Sequence, residues 1–344
     1  MLSIYSDRHK LRDAQTELDG GRLITPFECP IRAETVLARV KQVKLGPVTH
    51  PQPFGLEPIL RVHDKAYVTF MQRIWHDWVK AGHQGEAIPN IWPSRRAGRL
   101  KIPHDVQGQL GYYAMAGETA ISNGTWEAAC SAVDVAMTGV SALVEDNARA
   151  AFAMCRPPGH HAGSDVFGGY CFFNNAAIAA QALLDRGAGR VAILDVDFHH
   201  GNGTQQIFYN RDDVLFLSIH GDPADAFPHF LGFQDEIGTG KGEGMNANYP
   251  LPSGTDFDRW RDALASAMAR IHHYSPDALV VSLGVDTFKD DPISFFKLES
   301  DDFKRYGAMI AEFKGPVLFV MEGGYAVAEL GINVVNVLEG FGEQ

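Results

Sequence analysis

The side chains best suited to chemistry in this chain stand at the ends of short apolar runs. The first such segment is Val191-Ala192-Ile193-Leu194-Asp195-Val196-Asp197-Phe198-His199-His200-Gly201-Asn202-Gly203. A period of two places Asp195, Asp197 and His199 on one side of an extended backbone. Burying such a group without a cation is costly. A second apolar run, Ala278–Leu283, leads into Gly284-Val285-Asp286. Asp197, His199 and Asp286 together make a three-ligand set with room for water, as in a catalytic rather than a closed structural zinc site. Either acid alone reads equally well as a turn or cap residue, so it is their combination that points to a metal.

Two more segments end apolar runs in reactive groups. Arg156-Pro157-Pro158-Gly159-His160-His161 presents adjacent imidazoles from a Pro-Pro-Gly loop. Beside a metal, such a pair can take a proton from water and return it to a leaving amine. In isolation it reads as a surface pair or as further ligands. Met321-Glu322-Gly323-Gly324-Tyr325 sets a phenol after a Gly-Gly turn. A phenol can donate a hydrogen bond to a carbonyl oxygen as negative charge develops there, although many such tyrosines only fill space.

Positioning these groups requires strands. Runs at residues 151–155, 191–196, 214–219, Ala278–Leu283 and Val317–Met321 are β-branched or apolar and are bounded by Gly, Pro or Asp. Helical patterns at 258–273 and 302–313 lie among them, the second beginning after Ser300 and two acids that favour a helix start. This layout predicts an α/β fold with a parallel sheet covered by helices, in which ligands bind at the carboxyl ends of the strands. Residues 74–109 depart from the pattern: Trp75, Trp78 and Trp92 sit among His, Gly and Pro beside the basic cluster Arg95-Arg96-Ala97-Gly98-Arg99. We expect an inserted loop used in dimerisation and active-site shaping, with a long loop packed on its own domain as the alternative.

Composition narrows the setting. Of 344 residues, 45% are hydrophobic and 21% charged, as in a folded globular protein. The net charge of −12 disfavours nucleic acid and anionic membranes, which require basic patches, and suits a small cationic partner. No signal-like N-terminus or long uninterrupted apolar stretch is present, so a cytoplasmic location is expected. Cys29, Cys130, Cys155 and Cys171 form no close pair and predict neither a zinc knuckle nor a disulfide framework.

The motifs Pro158-Gly159-His160-His161, Gly169-Tyr170-Cys171-Phe172-Phe173-Asn174, the run from Asp195 to Gly203, Gly284-Val285-Asp286-Thr287-Phe288-Lys289-Asp290-Asp291-Pro292 and Glu322-Gly323-Gly324-Tyr325 resemble the arginase–deacetylase superfamily. Within it they resemble the branch of histone deacetylases and acetylpolyamine amidohydrolases. Weaker echoes occur at Pro30-Ile31-Arg32 and Val62-His63-Asp64. The resemblance implies a single domain over residues 1–344 with a central eight-stranded parallel sheet. It assigns zinc to Asp197, His199 and Asp286, and the ligand types by themselves also admit ferrous iron. It makes His161 the general base and acid, His160 an electrostatic helper oriented by Asp195, Asn202 the partner of His161, and Tyr325 the oxyanion donor. Tyr170, Gly169 and Phe227 would line a narrow tunnel. Structural potassium is implied near Asp195, Asp197, His199 and Ser218, and again near Phe208 and Val214.

Asn202 stands where several histone deacetylases carry Asp, and a neutral partner should raise the His161 pKa less than a carboxylate would. The insertion and the run Glu17-Leu18-Asp19-Gly20-Gly21-Arg22 resemble the polyamine branch. A homodimeric hydrolase of small acetylated polyamines is therefore expected, with Glu17 and Glu118 as candidate acids for the free ammonium. Ile293 occupies a place where one polyamine-specific relative carries an acid. The alternatives are a protein acetyl-lysine deacetylase and, outside enzymes, a metal-binding regulatory protein without catalysis.

Overall fold

A computed structural model describes residues 1–94 and 100–343; the basic cluster at 95–99 lies outside the described residues. Ten strands are present among the described residues: β1 (Leu2–Ile4), β2 (Glu17–Asp19), β3 (Arg22–Ile24), β4 (Val48–Thr49), β5 (Ala150–Ala153), β6 (Val191–Asp195), β7 (Val214–Gly221), β8 (Asn246–Leu251), β9 (Ala278–Leu283) and β10 (Val317–Met321). Eight of them form one parallel sheet in the order β4-β1-β5-β10-β9-β6-β7-β8, while β2 and β3 make a separate antiparallel hairpin.

Both faces of the sheet are buried, which explains the nearly continuous apolar strands. Alternate residues point to opposite cores. Ile193, Phe216, Val280 and Leu318 pack under α3 (Lys65–Lys80), α5 (Thr125–Val144) and α6 (Asn175–Asp185). Leu194, Leu217, Val281 and Phe319 pack under α1 (Ile31–Val43), α8 (Phe257–Tyr274), α9 (Ser300–Ile310) and α10 (Val327–Gly342). Short helices α2 (Glu57–Leu60), α4 (Val106–Tyr113) and α7 (Asn202–Phe208) complete the α-helices among the described residues. By length and composition α5 could cross a membrane, yet most of it is buried inside the fold.

The expected central strands are present, with β5 ending two residues early at Ala153 and β7 running on to Gly221. The helix expected at 302–313 begins at Ser300 because Glu299 and Asp302 form a reciprocal capping box. The insertion requires correction at both ends. Residues 74–80 finish α3, whose Tyr67, Val68, Met71, Ile74 and Trp78 recur at helical spacing and are buried. At the other end, Asp105 caps α4 by accepting from the amides of Gln107 and Gly108. Trp78 is therefore a core residue, and the loop proper is shorter than the stretch of unusual composition. The tryptophans and histidines there obscured an ordinary amphipathic helix.

Candidate active site

Asp195 ends β6, and the chain leaves the sheet through Val196 to His200. Asp286 follows β9, which pairs with β6; Tyr325 follows β10, on the far side of β9; and His160 and His161 follow β5, beside β10. All these side chains converge at the carboxyl edge, as parallel topology requires.

Donor atoms of Asp197, His199 and Asp286, all buried, lie within 4.8 Å of one another. His199 Nδ1 is 3.0 Å from Asp286 Oδ2 and 3.3 Å from Asp197 Oδ1. Backbone amides orient the two carboxylates: Gly323 N donates to Asp197 Oδ2 at 2.7 Å and Phe198 N to Asp286 Oδ1 at 2.7 Å. Gly323 is required by this approach, since a Cβ there would fall 2.5 Å from an oxygen of each acid. Burial and the charge of Asp197 push Asp286 up to about 7. Two buried carboxylates repelling each other beside an imidazole fit a divalent cation, which would relieve the repulsion and take the three as ligands.

The paired histidines differ sharply in environment. His160 Nδ1 lies 3.0 Å from Asp195 Oδ2. Burial disfavours its charge, but Asp197 and Asp195 outweigh burial and raise it to about 10. His161 Nδ1 lies 2.7 Å from Asn202 Oδ1, which assigns the ring proton to Nδ1 and leaves Nε2 as the basic nitrogen. Burial and the neighbouring His160 hold His161 well below the usual imidazole range. One fold thus carries a cationic and a neutral imidazole side by side, with ring centroids 4.1 Å apart. Burial keeps the Tyr325 phenol protonated, so it remains a donor.

A cavity of about 290 Å³ opens onto these groups. Its walls include Tyr170, Gly169, Phe227, Phe198, Ile293 and Phe295. Tyr170 meets Tyr325 edge to face at 5.6 Å, and Phe227 meets His161 at 5.0 Å. Tyr170 has φ +65° and Gly169 φ +56°. A Cβ on Gly169 would lie 2.1 Å from His161 Cδ2. Gly169 therefore approaches the ring of His161 with backbone alone, while Phe227 meets it with a ring edge.

The candidate acids both reach this cavity, but they are largely engaged. Glu17 Oε1 accepts from the Tyr170 hydroxyl at 2.6 Å and Oε2 from Phe27 N at 3.0 Å. Glu118 Oε1 accepts from Gly169 N at 2.6 Å and from the Thr119 hydroxyl at 2.7 Å. Asp19 and Asp225, exposed at the mouth, line it as well. The expected potassium residues occupy two places. Asp195 pairs with Ser218 across β6 and β7, beside the candidate metal ligands, whereas Phe208 ends α7 and Val214 opens the amino end of β7.

Residues to which the sequence assigned no role complete the site. Glu322 Oε2 accepts from Gly159 N at 2.6 Å and His160 N at 3.2 Å, fixing the histidine loop. Buried Glu28 is surrounded by Arg12, Arg32 and Arg156, at 3.0, 3.1 and 2.7 Å. Burial alone would raise Glu28, but the three guanidiniums hold it near 2. Arg32 donates to Gly324 O and Glu322 O, and its guanidinium lies 4.7 Å over the Tyr325 ring. Glu28 lies outside any helix or strand, so no periodicity marks it.

Residues 26–341 match the histone deacetylase domain family. An acetylpolyamine amidohydrolase of Mycoplana ramosa is 56% identical over 340 residues, 99% of each chain. Acetylpolyamine amidohydrolase 2 of Pseudomonas aeruginosa is 57% identical over 99% of this chain and 98% of its own. The crystal structure of acetylpolyamine aminohydrolase from Burkholderia pseudomallei superposes with TM-score 0.94 at 40% identity, covering 99% of this chain and 98% of that one. Because the family match spans nearly the whole sequence and these relatives align end to end, this chain belongs to the histone deacetylase domain family, a family of metal-dependent enzymes.

Proposed function

We propose that the protein hydrolyses the acetyl amide of small acetylated polyamines, such as acetylputrescine and acetylcadaverine, releasing acetate and the free amine. The observation that carries this reading is the cavity's charge. Four carboxylates, Glu17, Asp19, Glu118 and Asp225, line its walls, with no lysine or arginine among the described residues of the lining, and its floor is His161, His199 and Tyr325. Such a lining raises the local concentration of a slender cation. The names of the full-length relatives support the same substrate class.

Asp197, His199 and Asp286 would hold zinc or ferrous iron, which when bound supplies Lewis acidity at the amide carbonyl. Neutral His161 takes a proton from the attacking water at Nε2 and returns it to the departing amine, while Asn202 keeps the opposite nitrogen protonated. His160, cationic beside Asp195, offsets negative charge as the tetrahedral state forms. Tyr325 donates its hydroxyl hydrogen to the oxygen that gains charge. Tyr170 and Phe227 flank the methylene chain, excluding water from it.

The reading treats the chain as one domain, supported by a sheet whose strands come from both ends of the sequence. It includes structural potassium at the two places named above. It also includes a homodimer formed through the insertion. Exposed Ile91, Trp92, Leu100 and Ile102 on the insertion support that contact, as do exposed Phe230 and Leu231, which line a cleft together with Trp92.

Steady-state kinetics on acetylputrescine, acetylcadaverine, acetylspermidine and an acetyl-lysine peptide test the substrate. Higher kcat/KM on the small amines is expected. Preference for the peptide makes the protein a lysine deacetylase instead.

A further inference from the structure

Tyr325 belongs to neither helix nor strand: β10 ends at Met321, Gly323 and Gly324 follow, and α10 begins only at Val327. A phenol that must meet one oxygen in the transition state needs its backbone fixed from outside. Asp291, buried and far from it in sequence, does this. Its Oδ2 accepts from Tyr325 N at 2.7 Å and from Ala326 N at 3.3 Å, and its Oδ1 accepts from Ile293 N at 3.1 Å.

Ala326 caps α10 without any side-chain hydrogen bond of its own, so Asp291 serves as a remote cap that places a carboxylate at the positive end of a helix. From the other side Arg32 donates to Gly324 O at 2.7 Å. The segment carrying the phenol is thereby held between an anion on its amides and a cation on its carbonyls. The loop after β9 then carries the ligand Asp286, the anchor Asp291 and the cavity residue Ile293 within eight residues, 286–293.

We infer that Asp291 is a positioning residue for Tyr325: it fixes the phenol relative to the metal ligands and the Ile293 wall without touching substrate. The inference rests on the deacetylase reading, in which Tyr325 is the oxyanion donor.

A double-mutant cycle on acetylputrescine tests it, with Asp291→Asn made in the native enzyme and in Tyr325→Phe. Asparagine keeps the shape of the side chain but places an amide group where one of the accepting oxygens was. In the native background kcat should fall about 10–100-fold, the scale of a misplaced catalytic group, with KM changed less than about twofold and metal content unchanged. In the Tyr325→Phe background the same substitution should cost less than about twofold, because the group it positions is gone.

Equal losses in both backgrounds, or no loss in the native one, overturn the inference. Should Asp291→Asn not fold, Asp291→Glu repeats the cycle with the charge kept and displaced, and failure of both to fold makes Asp291 a stability residue and also overturns it. If Tyr325→Phe alone retains normal turnover, it is the deacetylase assignment of Tyr325 that fails, an outcome distinct from failure of the positioning role.

Discussion

The hydroxyl of Tyr170 donates to Glu17 Oε1 at 2.6 Å, tying the cavity wall to the β2–β3 hairpin at its mouth. Glu17 thus shapes the wall and also brings negative charge to it. Glu17→Gln keeps an acceptor for Tyr170 while removing the charge. KM for acetylputrescine should rise about tenfold, equivalent to about 1.4 kcal/mol, whereas a neutral acetamide of the same length should be unaffected. An equal rise for both substrates would mean that Glu17 acts through shape alone.

Gly169→Ala addresses the residue next to Tyr170 in the same wall. The added methyl meets the ring of His161 and the backbone has positive φ, so His161 must shift. A displacement near 1 Å costs about 10²-fold in turnover. The variant should fold and bind metal normally while kcat/KM falls by about that factor, and a variant as active as the native enzyme would refute the contact.

Metal dependence follows from the ligand set. Dialysis against a chelator should abolish activity, and zinc or ferrous iron added singly should restore it. Asp286→Ala removes one of the three proposed ligands, so metal per chain, measured by atomic absorption, should drop. Unchanged stoichiometry would remove Asp286 from the set.

Acid should destabilise the fold through three buried histidines outside the metal set. Burial, the largest influence on each, lowers His9, His63 and His220 from 6.5 to about 4. His63 Nε2 accepts from Asn174 N at 2.9 Å, which requires the neutral ring. Between pH 6.5 and 4 the unfolded chain takes up protons that the native state refuses, so stability is complete above this window and is lost as pH falls through it. Thermal melts should show Tm falling across that range, and His63→Gln should flatten the slope. A Tm independent of pH there would contradict the neutral assignment.

Much of the site was legible because metal chemistry and acid–base chemistry use few residue types, and strand ends announce themselves by apolar runs stopping at Asp, His or Gly. Asp197, His199 and Asp286, His160 and His161, and Tyr325 could be named before any fold was known. Strands β1, β4 and β8 were not, being short or interrupted by Ser, Asn and Pro, which weakens the apolar signal. The last turns of α3 fall within the stretch 74–109 expected to be a loop, for the related reason that aromatic and histidine content masks their periodicity.

The sequence by itself determined which groups are present and the α/β alternation that carries them to one edge of a sheet. Tertiary structure alone decided how each is tuned. His160 and His161 are adjacent and chemically identical; Asp197 and Asp195 beside the one, and burial together with the His160 charge at the other, separate cation from neutral base. Glu28 and Asp291 lie in segments without periodic pattern, and their partners, Arg156 at one and Tyr325 at the other, come from distant parts of the chain. A carboxylate's function depends on the donors that surround it after folding, and several of those donors are far from it in sequence.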